Sequence, residues 1–201
     1  MDLLHAIRTR RSIGKVRPDL PPRADIEAML EAATCAPNHH KVEPWQFIVL
    51  SGQGRERLAD AWADIEQARH ADPASDAAQR AVAGVRAKAY RAPVVIVAIA
   101  EPPSHTKIVA TENIEAVAAA VQNMLLVAGN RGLGAMWRTG EVAYAPRAKA
   151  AFGLSPEHTI VGFIYVGYPA ADPSPRSLAP HHTKTTWWGD AEGQYSGTVD
   201  G

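Results

Sequence analysis

Seven consecutive apolar residues, Val94-Val95-Ile96-Val97-Ala98-Ile99-Ala100, do most to restrict what this chain can become. The run has strand length and strand composition but lacks the alternation of a strand with one wet face. Such a strand belongs at the centre of a sheet whose two faces are both covered. One cover follows directly: Ile114, Val117, Ala118, Val121, Met124, Leu125 and Ala128 recur at three- and four-residue intervals. That spacing predicts a long buried helix over residues 111–130, ended by Gly129 and Gly132.

Other segments complete the layers. Trp45-Gln46-Phe47-Ile48-Val49-Leu50, stopped by Ser51-Gly52, reads as a strand, and so does the segment from Thr159 to Val166 before Gly167; Ala135 to Arg138 fits a shorter one. Leu3, Leu4 and Ile7 predict a short amphipathic helix running into the basic turn Arg8-Thr9-Arg10-Arg11-Ser12. A helix is expected over 25–33 with its end near Pro37, a charged one from about Arg55, and another opened by Pro146. Residues 69–91, with start signals at Asp72-Pro73-Ala74-Ser75-Asp76, fit a second helix or a mobile flap. Helices and strands intermix without βαβ alternation or internal repeat, so the expected class is α+β, a three-layer sandwich.

At 201 residues one domain is expected, ending near residue 169. Residues 170–201, rich in Pro, Ser, His and Thr with Trp187-Trp188 near the end, suit an extended arm that could embrace a partner subunit. Twenty-one basic residues balance twenty-one acidic ones, which removes any overall field for nucleic acid or anionic membranes. No apolar run approaches the ~20 residues of a membrane span. One cysteine, Cys35, and an N-terminus without a secretory pattern point to a reducing cytoplasmic setting.

Several chemistries lack their motifs. Gly129-Asn130-Arg131-Gly132-Leu133-Gly134 has a helix before it and a strand after it, the reverse of a dinucleotide loop. Gly14-Lys15 precedes Val16 and lacks the earlier glycine of a P-loop. His39, His40 and Glu43 are set between Pro37 and Pro44, which disfavours a helical metal site, and His181-His182 stand in the polar tail, so no metal is expected. There is no Gly-x-Ser-x-Gly elbow for hydrolytic catalysis.

Three segments could serve a phosphorylated, flat ligand. Arg10-Arg11-Ser12 offers guanidinium forks and a hydroxyl to a phosphate. Ala36-Pro37-Asn38-His39-His40-Lys41-Val42-Glu43-Pro44-Trp45 joins a helix to a strand through a stiff polar loop. Gly134-Ala135-Met136-Trp137-Arg138-Thr139-Gly140 places a cation, a hydroxyl and backbone donors after a glycine turn. Each also has a plain structural use: a solvated basic turn, an ordinary loop, a packed Trp.

Taken in order with Ile160-Val161-Gly162-Phe163-Ile164-Tyr165-Val166-Gly167-Tyr168-Pro169, these segments resemble the nitroreductase superfamily over roughly residues 1 to 169, and within it the short bacterial NAD(P)H nitroreductases of the YdjA type. The resemblance implies a three-layer, mainly antiparallel α+β fold and a homodimer with two FMN molecules at the subunit interface. It implies hydride transfer from NAD(P)H through FMN to a nitroaromatic, quinone or other electron-poor acceptor, in ping-pong fashion. Carried over by position, Arg10, Arg11 and Ser12 meet the FMN phosphate and ribityl region from one subunit. His39 reaches in from the other, and Trp137, Arg138 and Thr139 complete that second wall. Cys35 falls at a flavin-contact position, although a thiol lacks the fork an arginine would offer; Gly14-Lys15 stands where many relatives carry a further arginine. The alternatives are another flavin reaction of the same superfamily and a non-enzymatic dimeric module for a phosphorylated ligand.

Overall fold

The computed structural model describes residues 2–173 and 177–188. Strand β2 (Val94–Ala100) is buried at all of its positions, as its unbroken apolar run requires. It sits inside a four-stranded antiparallel sheet together with β1 (Trp45–Ser51), β3 (Gly134–Arg138) and β4 (Thr159–Gly167), in the order β1-β2-β4-β3. The register opposes Ile48 to Val97 and Ile96 to Ile164, and Trp137 also lies opposite Ile164. Between β2 and β4 it shifts once: Ala98 faces Gly162 and Ile99 faces Ile160, which leaves Val161 as an extra residue on β4.

Alternate side chains of β2 feed two separate cores. Val94, Ile96 and Ala98 pack with Ile26 and Met29 of α2 (Arg23–Thr34) and with Val117, Val121 and Met124 of α5 (Ala110–Asn130). Val95, Val97 and Ile99 pack with Leu58 and Trp62 of α3 (Gly54–Gln67) and with Ala148 of α7 (Pro146–Ala151). α4 (Asp76–Lys88) lies against α3, and the short α6 (Glu141–Tyr144) follows β3. The arrangement is the expected α+β sandwich, helices over both faces of an antiparallel sheet.

Local chemistry sets the element ends, which agree with expectation at α4 and differ from it at α2 and α5. Within residues 69–91 a helix forms over Asp76–Lys88, started by Ser75, whose Oγ accepts from the Ala78 amide at 3.3 Å, a side-chain N-cap. α2 stops at Thr34, before Pro37, since the amides of Cys35 and Ala36 already turn back to the carbonyls of Ala32 and Ala33. α5 runs through Gly129 to Asn130, and Gly132, at φ +72°, makes the left-handed reversal alone. The Leu133 amide closes that turn on Ala128 O at 2.8 Å.

The outermost pieces leave apolar surface open. α1 (Leu3–Thr9) is capped by Asp2, whose carboxylate accepts from the His5 amide, yet Leu3, Leu4 and Ile7 are exposed. Beyond the core, residues 177–188 carry one turn at His181–Lys184 and no strand, and Leu178, Trp187 and Trp188 are exposed. The rest of the expected arm, residues 174–176 and 189–201, lies outside the described residues. Among the described residues, no helix is long and apolar enough to cross a membrane.

Candidate functional site

After α1 the basic turn crosses the free edge of β3 and the end of β4. Ile13 N donates to Ala135 O at 2.9 Å, Arg17 N to Tyr168 O at 2.8 Å, and Ala170 N to Lys15 O at 3.1 Å. Glycines make that close passage possible. A Cβ on Gly134 would lie 2.8 Å from Ile13 Cγ2, and one on Gly167 would lie 2.9 Å from Val16 Cγ2. At Gly14 a Cβ would meet Met136 Sδ at 2.8 Å and Arg138 Nη2 at 3.1 Å. Gly14 and Lys15, just past the basic turn, are therefore brought beside Arg138 within one chain.

Arg11 bends its Nη1 back onto the carbonyls of Arg8, Thr9 and Arg10 at 3.0 to 3.1 Å, placing a cation at the negative end of α1. Arg10 and Arg11 border a cavity of about 200 Å³ against Leu125, Gly129 and Asn130 of α5, and Ser12 is exposed beside them. The turn is a basic concavity held on a rigid helix end.

Because β3 alternates, Trp137 and Arg138 point to opposite faces. Trp137 joins the α2/α5 core, and its Nε1–H donates to Val161 O at 3.2 Å. The bulge at Val161 and the indole thus answer each other: the ladder shifts, and the indole takes the carbonyl beside the shift. Gly162 makes room, since a Cβ there would stand 2.1 Å from Trp137 Nε1. The Trp137 side chain is committed to structure, which leaves its backbone for any ligand. Thr139 is exposed and followed by Gly140, at φ +118°.

Arg138 lies on the other face, its guanidinium 5.6 Å from the centre of the Tyr165 ring. Two adjoining cavities share it and Arg91. One, of about 550 Å³, is open along Gly14, Lys15 and Met136. The second, of about 330 Å³, runs under α3 and is bounded by Trp62, Glu66, Arg69 and Tyr165. Arg138 Nε, Tyr165 Oη and Trp62 Nε1 are buried without a hydrogen-bond partner, and all three residues line this second cavity. Burial pushes the Tyr165 phenol well above its usual value near 10, outweighing the opposite pull of Arg138 and Arg91, so it remains protonated.

Cys35 and His39 lie elsewhere. Cys35 Sγ is exposed and donates to Glu31 O at 3.4 Å. His39 is exposed, edge-on to His40 with ring centres 4.2 Å apart, and borders an open groove with Glu112 and Ala116 of α5. The loop is held in unusual backbone geometry: His40, Lys41 and Glu43 have φ of 53°, 55° and 48°, and Asn38 Oδ1 accepts from the Glu43 amide at 2.9 Å. Left-handed non-glycine residues cost roughly 1–3 kcal/mol each. From Ala116 to Gly129 the helix rises about 20 Å, so one chain holds His39 and Arg10 at opposite ends of α5. Of Trp137, Arg138 and Thr139, Arg138 lies beside Gly14 and Lys15 of its own chain.

Sequence reasoning missed Trp62, Arg69, Arg91 and Tyr165. Trp62 and Tyr165 read as ordinary core positions of a helix and a strand, Arg69 and Arg91 as solvated cations of connecting turns, and no local motif marks any of them.

Comparison with known proteins fits this geometry. The Nitroreductase family model matches residues 7–168, and the chain belongs to that family. Within it the chain is of the YdjA type: it is 32% identical over 183 residues, 91% of this chain and 97% of the relative, to the Escherichia coli (strain K12) protein named "Putative NAD(P)H nitroreductase YdjA". Among solved structures it is similar to a nitroreductase-like family protein from Bacillus cereus, with a TM-score of 0.80, 26% identity, and coverage of 94% of this chain and 97% of that one. It is also similar to a Desulfovibrio desulfuricans structure described as a "putative nitroreductase in complex with fmn", with a TM-score of 0.71, 26% identity and the same coverage.

Proposed function

We propose that the chain is an FMN-dependent oxidoreductase that works as a homodimer, taking hydride from NAD(P)H and reducing a nitroaromatic, quinone or other electron-poor acceptor by a ping-pong route. The observation that carries this reading is the meeting of Gly14-Lys15, which directly follow the basic turn, with Arg138. In the one place where a Cβ would collide with Met136 and Arg138, the chain has a glycine, and the cleft beside it is lined by Lys15, Arg91 and Arg138. A phosphate with a polar tail and a flat ring is a ligand that such donors fit.

Arg10, Arg11, Ser12 and Lys15 would hold the phosphate, and Arg138 with Thr139 would meet the ring. FMN would supply reversible hydride acceptance, which no side chain can provide. The protein's own part is to anchor, to orient, and to set fixed cations beside the place where negative charge develops. No acid–base pair is required of it, because protons for the acceptor can come from solvent.

The homodimer is supported by the exposed Leu3, Leu4 and Ile7 of α1, which need a cover. It is also supported by the separation of His39 from the basic turn along α5. A second copy is the means by which the His39 loop, with Cys35 at its start, would reach the same ring.

An absorbance spectrum of the purified protein, before and after anaerobic NAD(P)H, tests the reading. Flavin bands that bleach, with FMN identified by mass, are expected. A protein that stays colourless after reconstitution with FMN overturns the proposal and favours a binding module for another phosphorylated ligand.

A further inference from the structure

Met29, Met124 and Met136 are the methionines among the described residues, and the fold treats them unequally. Met29 and Met124 have no exposed surface inside the α2/α5 core, whereas Met136 of β3 is partly exposed and lines the open cavity of about 550 Å³. Alternation along the strand puts it on the same face of β3 as Arg138. Gly14 lies across both: a Cβ there would stand 2.8 Å from Met136 Sδ and 3.1 Å from Arg138 Nη2, so sulfur and guanidinium flank one point of the cavity wall. Lys15 and Arg91 line the same cavity, and among the described residues neither they nor Arg138 is ion-paired with an acid. A thioether is a weak hydrogen-bond acceptor, so these cations gain little from it as it stands.

We propose that Met136 is a site of reversible oxidation by hydrogen peroxide, and that its sulfoxide closes the cleft between Lys15, Arg91 and Arg138 to anions. A sulfur lone pair attacks one peroxide oxygen, the O–O bond breaks as the S–O bond forms, and the departing oxygen leaves as water after taking up the proton of the transferred one. Sulfur loses an electron pair and peroxide gains it. The product is a polar side chain in place of an apolar one, and its oxygen accepts hydrogen bonds. Sulfur already fills the space beside Gly14, so the new oxygen cannot turn that way, and the neighbouring cations gain an acceptor that competes with a ligand's phosphate. Reductases specific for the two sulfoxide epimers reverse the change. The oxidation itself is independent of the flavin reading, and its effect on FMN binding rests on that reading.

The test exposes full-length protein, wild type and Met136→Leu, to dilute hydrogen peroxide and then to a thiol reductant, which restores a sulfenate or disulfide at Cys35 and leaves sulfoxide in place. Leucine keeps the volume without the sulfur. Peptide mass mapping reads the gain of a single oxygen at each methionine, and calorimetry reads affinity for FMN and for inorganic phosphate. Met136 should gain oxygen before Met29 and Met124. Oxidised wild type should then bind FMN about tenfold more weakly, as for one lost charged hydrogen bond, and recover with sulfoxide reductases, while Met136→Leu is unchanged by peroxide. Modification of Met136 no sooner than the two buried methionines overturns the inference and leaves the flavin reading standing. So does affinity that survives full oxidation of Met136, or an equal loss in Met136→Leu. If phosphate binds and FMN does not, the flavin reading falls and the phosphate titration decides the inference; a wild type that binds neither probe overturns both.

Discussion

At position 162 a glycine is required by its neighbour: the Trp137 indole occupies the space that a side chain would take, and it does so in order to reach the Val161 carbonyl. Gly162→Ala should therefore push the indole away and break that bond. A loss of about 1–3 kcal/mol is expected for such overpacking, read as a lower urea midpoint with an unchanged slope. Tyr165 gives a second test at this scale. Its phenol is raised in the folded state by burial, so the unfolded chain releases the proton first as pH climbs. The stability tied to this group is complete below pH 10 and declines above it. Thermal melts of wild type should fall more steeply above pH 10 than those of Tyr165→Phe, and parallel curves would count against a buried, protonated phenol. Neither residue announced itself in the sequence. Gly162 sits inside a strand pattern, and Tyr165 reads as one more apolar position of β4, because what distinguishes them is a partner brought close by the fold.

Elements were far more legible than residues. The apolar run of β2 and the period of α5 are one-dimensional records of burial, and both cores follow them. The ends were harder, since they depend on which turn closes first: Gly129 is carried inside α5 and Gly132 makes the reversal, while the 69–91 segment was settled as a helix by the Ser75 cap. Beyond the interior place of β2, strand order was not legible, because β1-β2-β4-β3 is fixed by long-range pairing that leaves no local mark. The most sensitive contact between elements is that of α2 with α5, where Met29 and Met124 are fully buried in one cluster. Met29→Ala should cost about 2–5 kcal/mol through lost burial and a cavity. Asp25 and Arg131 pair at 3.2 Å across the same two helices at the surface, and Asp25→Asn should cost less than about 1 kcal/mol. Chemical denaturation of both variants checks that packing, and not the ion pair, joins the two helices.

On the scale of the whole molecule, the basic turn and Trp137-Arg138-Thr139 read from the sequence as separate pieces, and the fold brings Gly14-Lys15, just past the turn, beside Arg138 within one chain. His39 it holds apart, because a helix about 20 Å long between Ala116 and Gly129 separates its groove from the basic turn. If a second copy supplies the His39 loop, cofactor binding and subunit association must be linked, since each complex would contain both chains. A ligand that binds only the assembled state stabilises it by mass action. Diluting the protein through its dimer–monomer range should then release FMN in step with dissociation, and excess FMN should move the dimer midpoint to lower protein concentration. Fluorescence of released flavin and light scattering on the same dilution series read the two events together. Removing the residues beyond Asp172 should shift both curves to higher protein concentration if the arm embraces its partner. Flavin held with constant affinity by a monomer would instead show that the basic turn and Arg138 of one chain suffice.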